Sequence, residues 1–379
     1  MSESWSISDM ETCQINSLLY SNQFYLAAII LHGLSSYAFF PVMFGLIWKR
    51  SEILHWHPNL LILLLLNAFS CLALASTTAW SATHFLIVHI KHSSDPCKLL
   101  WKTDNCSFIR AQYLFSFLLV SITHVGILIE RVWATVYVRY YEKQGKLFGY
   151  IISSIAIVLS ILVIAKVIEN EDPNELITTC LTFSASKSVG NQIYIMFWVQ
   201  LFLDGVVSVA HYALYKFNKK NEKSNPGSLS EQYQRRENVK TLKQIYPLLI
   251  LSNITIGAYL FVISVLRLFK DNLPANWYEI IAALLFMMPH MPVMFSSLLI
   301  IELHRHKKRI ARNAENIITN QDIPLHDQFH IPIQNWEPVY EVRNPETAET
   351  ANGPVSSIWN CWNIKKRIRK HQPQVAVIS

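Results

Sequence analysis

Glu130 and Arg131 stand side by side in HVGILIERVWATVYVRYYEKQGKLFG (His124–Gly149), where an apolar run gives way to a charged one. An arginine in that place has two chemistries open to it. It can anchor the chain by reaching back to lipid headgroups. It can also be half of a switch, held by Glu130 at rest and released to a partner that enters between helices. Trp133, Tyr141 and Glu142 follow on the same stretch and belong to the same candidate surface. A second basic set, Arg235, Arg236, Lys240 and Lys243, falls in SLSEQYQRRENVKTLKQIYP (Ser228–Pro247). That tract reads as a charged helix with Ser230 as its cap. Its basic face is either a positive anchor or a docking surface for another protein.

The six cysteines offer thiol chemistry. Cys106 and Cys180 are placed to form a disulfide, which persists only on an oxidising side. Cys13 and Cys97 lie on that same side, so they pair with each other or compete for the first two. Cys71, within an apolar run, reads as packing. Cys361 sits in SSIWNCWNIKKRIRK (Ser356–Lys370), among Trp359, Trp362, Ile364, Ile368 and five basic residues. That composition suits an anionic lipid surface, at about 1 kcal/mol per basic residue, and makes Cys361 a palmitoylation candidate. The alternative is a solvated basic tail. Asn105 forms the sequon Asn-Cys-Ser with Ser107, obstructed if Cys106 is bridged near a membrane; the sequon at Asn253 falls inside an apolar run. His32, Asn67, His124, Gln200, Asp204, His211, Asn253 and His290 interrupt apolar runs. Each alone reads first as an interhelical hydrogen bond and second as a ligand contact. His304 and His306 are a lone pair beside basic residues. The residues show no catalytic set, and no metal or cofactor is expected.

The elements that position these residues are read from hydropathy. Of the 379 residues 51% are hydrophobic and 16% charged, with mean hydropathy +0.24; soluble domains carry about 25% charge. A spanning helix needs ~20 mostly apolar residues. Seven such runs are present, at about Phe24–Trp48, Pro58–Trp80 (with a possible extension toward Ile90), Cys106–Thr135, Leu147–Ile168, Gln192–Phe217, Ile245–Leu268 and Tyr278–Leu303. The fifth is interrupted by Asp204, and Pro289 and Pro292 can kink the seventh. The fold class expected is therefore all-α, a seven-helix transmembrane bundle over 24–303, after an N-terminal segment 1–23. Residues 304–379 form a tail that opens with a short basic amphipathic helix, His304–Arg312, and is otherwise disordered. KSNPGS (Lys223–Ser228) reads as a turn. Residues 1–23 lack the basic start and cleavage site of a signal peptide, so the first run acts as its own signal.

Lys and Arg mark the cytoplasmic side. With the N-terminus outside, 25 of the 33 basic residues fall inside, and without the tail the count is still 14 against 8. The second outer loop is acidic (Glu169, Glu171, Asp172, Glu175). The net charge of +7 is thus a topology signal and not a mark of nucleic-acid binding.

Cys106 precedes Arg131 by 25 residues, about 37 Å of helix, enough to run from one rim of the bundle to the other. The offset resembles that between the disulfide cysteine and the switch arginine of rhodopsin-like receptors. The seventh run matches their proline motif only loosely, in MPHMPVMF, and Asn67 stands where they usually carry a sodium-binding Asp. Four further stretches resemble the nematode serpentine chemoreceptors of the Sra-type superfamily, which groups the Sra, Srab, Srb and Sre classes: HWHPNL (His55–Leu60), Ser93–Tyr113, IERVWATVYVRYYEKQGKLFG (Ile129–Gly149) and YQRRENVKTLK (Tyr233–Lys243). The likeness covers residues 24–312, and Asp-Pro-Cys in the first outer loop looks most like Sra or Srab.

That resemblance implies a receptor at the plasma membrane or sensory cilium of chemosensory neurons, coupled to a heterotrimeric G protein. Its partners are then the bilayer, the G protein and an extracellular small-molecule or peptide ligand, with a dimer left open. The ligand pocket is expected in the outer halves of the helices, at Tyr113 and Phe117, four apart on one face, with Phe197, Gln200 and Trp277. The other reading is a seven-helix transporter or ligand-gated channel. A transporter should show paired halves or broken helices, and an opsin needs a Lys in the seventh run, which has none.

Overall fold

The computed structural model describes residues 13–14, 17–48, 56–91, 100–141, 144–174, 176–177, 180, 189–224 and 229–319. Glu142, Cys97 and Cys361 lie outside them, as does most of the tail. Residues 1–313 form one compact unit; the second, 314–379, is described only to Thr319, where it is helical.

The chain is helical because each apolar run must satisfy its own backbone hydrogen bonds in a medium without water. Helix α1 spans Gln23–Trp48 and α2 Pro58–Lys91. The carboxamide of Asn22 caps α1, with Oδ1 accepting from the amides of Phe24 and Tyr25 at 2.9 and 3.2 Å. Pro58 opens α2 at the first helical position, where its missing N–H is not needed. Helix α3, Thr103–Val136, follows a two-residue strand β1 (Trp101–Lys102), and a single helical turn (Val138–Tyr141) comes after it. Next come α4 (Leu147–Ile168), strand β2 (Leu176–Ile177), α5 (Gly190–Ser224) and α6 (Leu229–Leu268). The last crossing is made in two pieces, α7 (Ala275–Leu284) and α8 (Met291–Thr319). Seven helical spans are long and apolar enough to cross a membrane, the seventh running Asn276–Arg309.

Helix α3 is the axis of the bundle. Two-thirds of its apolar window is buried, the largest share of any span, and it packs against α2, α4, α5 and α6. Gly149 lets α4 come close to α2: a Cβ there would lie 2.9 Å from Asn59 Cα. At one end β1 and β2 pair antiparallel, Trp101 opposite Ile177 and Lys102 opposite Leu176. Cys106 and Cys180 are bridged beside them, with Cα atoms 5.2 Å apart.

Several boundaries differ from the sequence reading, each for a physical reason. Helix α2 continues to Lys91 because Ala82 and Phe85 on its last turns are buried. Helix α6 starts at Leu229, so Ser230 is its second residue and does not precede it; Lys223 and Ser224 belong to α5, and the other residues of KSNPGS lie outside the described ones. The last crossing breaks where Pro289 falls in a 3-10 turn, Met288–His290. Side chains of α1 bond two carbonyls beside the break: His32 Nε2 bonds Ala283 O at 2.9 Å, which also accepts from Phe286 N at 3.2 Å, and Ser35 Oγ donates to Pro289 O at 3.3 Å. Pro292 sits at the second position of α8, where proline is tolerated. The basic run His304–Arg312 starts no new helix. It prolongs α8 without interruption to Thr319, since no glycine or proline intervenes.

Candidate functional site

Arg131 is 2% exposed and Glu130 fully buried, so this guanidinium does not reach out to headgroups. Neighbouring residues on a helix do not face each other. The pair forms because the arginine curls over its own helix: Nε donates to Glu130 Oε2 at 2.5 Å and Nη2 to Oε1 at 2.6 Å. Two parallel bonds to one carboxylate are the strong form of this contact. Tyr141, on the turn after α3, closes it. Its hydroxyl donates to Glu130 Oε1 and accepts from Arg131 Nη2, the latter at 2.7 Å. Burial above all, with Glu130 adding to it, pushes the Tyr141 phenol well up against the opposing pull of Arg131, so the hydroxyl keeps its proton. The ring of His57, just before α2, backs Tyr141 at 4.0 Å between centroids. Burial, with Arg131 adding to it, holds the His57 imidazole below its usual range despite the pull of Glu130 the other way.

The fourth member comes from α6. Arg131 Nη1 donates to Asn238 Oδ1 at 3.2 Å. Asn238 Nδ2 donates to Thr135 Oγ1 at 2.9 Å and to Asn218 Oδ1 at 3.1 Å. Asn218, on α5, donates in turn to Thr135 at 2.9 Å. Two neutral amides therefore tie α5 and α6 to α3 around one buried guanidinium. Beside them lies a cavity of about 170 Å3 lined by His57, Arg131, Ala134, Tyr141, Gln234, Glu237, Asn238 and Thr241.

The other expected site residues fall in distinct places. Trp133 turns away from this cluster: its indole donates to Gln144 at 2.8 Å and packs, tilted, against Tyr137 and Phe148. Arg236, Lys240 and Lys243 are exposed along one face of α6, spaced four and three apart. Arg235 leaves that face and turns to α5, 3.5 Å from the Asn221 carbonyl.

Toward the disulfide end, Tyr113, Phe117 and Phe197 are buried in one aromatic layer with Tyr259 and Phe286. Their centroids are 5.6 to 6.3 Å apart. Gln200 lies one turn further along α5, bonded to Ser121. Trp277 is 48% exposed and does not join them. Between this layer and Arg131 runs a polar band. His124 Nδ1 meets Asn253 Oδ1 at 2.6 Å, Asn67 approaches His124 at 3.4 Å, and Asn253 donates to Ser208 at 2.8 Å. Beyond the layer, Arg110 and Glu171 form a buried ion pair beside the bridge. Cys13 is disulfide-bonded as well, and Cys71 is a buried free thiol. Asn105 is exposed in the first turn of α3, next to the bridged Cys106.

The sequence reading missed His57, Asn218, Asn238 and the Arg110–Glu171 pair. His57 and Asn238 do lie within HWHPNL and YQRRENVKTLK. A neutral amide in a basic run carries no signal of its own beside four cations.

The family model for the serpentine type seven-transmembrane GPCR chemoreceptor Sra matches residues 1–327. The chain is 50% identical to serpentine receptor class alpha-39 of Caenorhabditis elegans over 370 residues, 98% of each chain. It is 28% identical to class alpha-6 of the same nematode over 60% of this chain and 69% of the relative. Likeness extends to class beta-17, at 27% over 52% and 55%.

Proposed function

From the premise that the chain belongs to the serpentine seven-transmembrane chemoreceptor family Sra, a family of GPCR-type receptors and not of enzymes, we propose how this multi-pass membrane protein signals. The N-terminus and the disulfide end face outward at the plasma membrane of a chemosensory cell, in its sensory cilium, and the Arg131 end and the tail face the cytoplasm. The charge bias supports this, with 14 basic residues inside against 8 even without the tail. An extracellular small molecule or peptide acts on the aromatic layer of Tyr113, Phe117 and Phe197. It biases the bundle between two packings. In one, Arg131 is held by Glu130, Tyr141 and Asn238. In the other, α6 leaves α3, and a heterotrimeric G protein occupies the enlarged cavity and rests on Arg236, Lys240 and Lys243. Residues 24–303 carry the signal.

The observation that carries this reading is the shared engagement of Arg131. One guanidinium binds its own helix, the following turn and α6, so it cannot meet a new partner until α6 lets go.

The test is to express the chain with a promiscuous G protein and challenge it with odorant and peptide panels, scoring second messenger per surface receptor. A response lost on removing the G protein supports the assignment. A ligand-gated current that persists without G protein sinks it. A glycosylation tag at residue 1 that stays unmodified in intact cells overturns the orientation.

A further inference from the structure

The carboxylate of Asp204 sits in the middle of α5, 2% exposed, roughly 15 residues' depth from the bridge. Ser121, its neighbour on α3, is about 22 Å of helix past Cys106. A charge at this depth is costly and usually marks a functional partner. Among the described residues no lysine, arginine or histidine pairs with it.

Its hydrogen bonds leave a definite deficit. Ser121 Oγ donates to Asp204 Oδ2 at 3.2 Å. The serine proton is thereby committed, so Gln200 must turn its amide nitrogen to Ser121, which it does at 2.7 Å. That orientation fixes Gln200 Oε1 as a second acceptor. Asp204 Oδ1 and Gln200 Oε1 are both buried with no hydrogen-bond partner. Residues four apart on a helix share a face, so two buried acceptor oxygens stand together, with no donor to them among the described residues. Immediately on the disulfide side lies the aromatic layer: Phe117 is one turn before Ser121 on α3 and Phe197 about one turn before Gln200 on α5, their rings 5.9 Å apart.

We propose that Asp204, with Gln200, is the counter-ion of a protonated amine ligand: the ammonium group donates to Asp204 Oδ1 and Gln200 Oε1, and its organic portion lies among Phe117, Phe197 and Tyr259. An ammonium supplies the missing donors and the missing charge at once. Aromatic faces add cation–π attraction where water is excluded. Neutral alcohols and esters bring at most one donor and no charge, so they leave the carboxylate unpaired. The inference rests on the receptor reading above and names its ligand class.

The experiment uses the purified full-length receptor in lipid nanodiscs and follows its thermal unfolding with 2-phenylethylamine, isopentylamine and benzylamine. The neutral probes are 2-phenylethanol, isopentanol and benzyl alcohol. Sodium and potassium chloride are compared at equal ionic strength. The expected result is a rise in Tm with at least one amine and none with its alcohol. Asp204→Asn should weaken the amine effect on the order of a hundredfold in concentration, and Asp204→Glu should keep part of it. Asp204→Asn removes a buried charge without changing shape, so it is expected to fold; loss of folding in that variant would show the carboxylate to be structural and overturn the proposal. Equal shifts with alcohols overturn it too, as do no shifts with any amine. A sodium-specific shift that Asp204→Asn abolishes overturns the proposal and reassigns the site to a metal ion. Because unfolding is read without G protein, failure of the coupling model leaves this result standing, and the converse holds.

Discussion

Asn238→Ala should raise signalling in the absence of any ligand. The side chain makes three contacts that join α6 to the rest of the bundle, to Arg131 at 3.2 Å, Thr135 at 2.9 Å and Asn218 at 3.1 Å. A neutral hydrogen bond is worth about 1 kcal/mol net and one to a charged group about 1.5–3. Arg131 keeps Glu130 and Tyr141 after the substitution, so its contact with Asn238 belongs at the low end. The three sum to roughly 3–4 kcal/mol before the open state regains water for the same groups. If about 2 kcal/mol of this is specific to the closed packing, the equilibrium moves by about 30-fold. A receptor about 1% active at rest would become about a quarter active, which is a rise of about twentyfold in basal second messenger per surface receptor. Asn238→Asp would trade its bond to Arg131 for an ion pair but lose both donations from Nδ2, to Thr135 and Asn218, so the alanine variant is the cleaner test. If Asn238→Ala lowers basal activity at matched surface expression, or leaves it unchanged, Asn238 is not part of a lock.

Arg131→Ala should silence the receptor but also lower its surface level, because it strands the fully buried Glu130 at a cost of about 3–5 kcal/mol. Glu130→Gln on that background should restore expression and not signalling, and restored signalling would deny Arg131 its role. Cys106→Ser and Cys180→Ser should each reduce folded receptor, with the double variant no worse than either single one. The bridge closes a separation of 74 residues, which corresponds to about 4 kcal/mol of unfolded-state entropy; additive losses in an expression assay would contradict the pairing. Gly149→Ala should destabilise by about 1–3 kcal/mol, since the backbone of Asn59 stands 2.9–3.0 Å from the new Cβ and cannot yield. Gly126→Ala should show a loss of similar size in the same thermal assay, because it meets the Ile152 Cγ2 methyl at 2.8 Å, which sits on a branched Cβ and moves only by rotating χ1. The His57 imidazole is held below its usual range, so the unfolded chain takes up its proton first as pH falls. Stability from this group is complete above about pH 6.5 and declines below it. His57→Phe keeps the stacking on Tyr141 and should flatten that part of the pH–Tm curve.

Hydropathy made the seven crossings readable because a membrane imposes one length and one composition on every span. Asp204 made the fifth look doubtful, yet α5 is unbroken through it, as the carboxylate points inward to Ser121. Arg131 had two readings of equal physical sense, and only its burial and partners separate them. Asn238 and Asn218 were invisible for a different reason. Their worth comes from meeting Thr135 across three helices, and no local pattern encodes that meeting. The aromatic layer was half legible: Tyr113 and Phe117 follow from helical spacing, whereas Tyr259 and Phe286 enter from other helices. Trp277, on the first turn of α7, stands half exposed and apart from the layer, since the rotation of that helix is set by packing. The continuation of α8 through His304–Arg312 shows the limit of reading amphipathicity as a boundary, since a basic face can belong to the end of a span as well as to a separate surface helix.

Helix α6 brings these parts together. It is clasped to α3 at two heights, by Asn253 on His124 and by Asn238 on Arg131, and Pro247 lies between the two clasps. A proline inside a helix removes one backbone bond and loosens the turn before it. The arm below it, from Leu229, also carries Gln244, which accepts from Trp56 at 3.1 Å, and the exposed Arg236, Lys240 and Lys243. The upper clasp adjoins the polar band beneath the aromatic layer, where Asn253 also reaches Ser208 and the Asp204 carbonyl. A ligand that rearranges Asp204 therefore acts on the upper clasp directly and on the lower one only through α6. Packed interfaces of this kind shift between discrete arrangements and do not deform continuously. The lower clasp is built from neutral amides around one ion pair, so it can release α6 while Glu130, Tyr141 and Arg131 stay together. In the proposed activation the arm would swing about Pro247 and leave the guanidinium buried and paired until a partner reaches it.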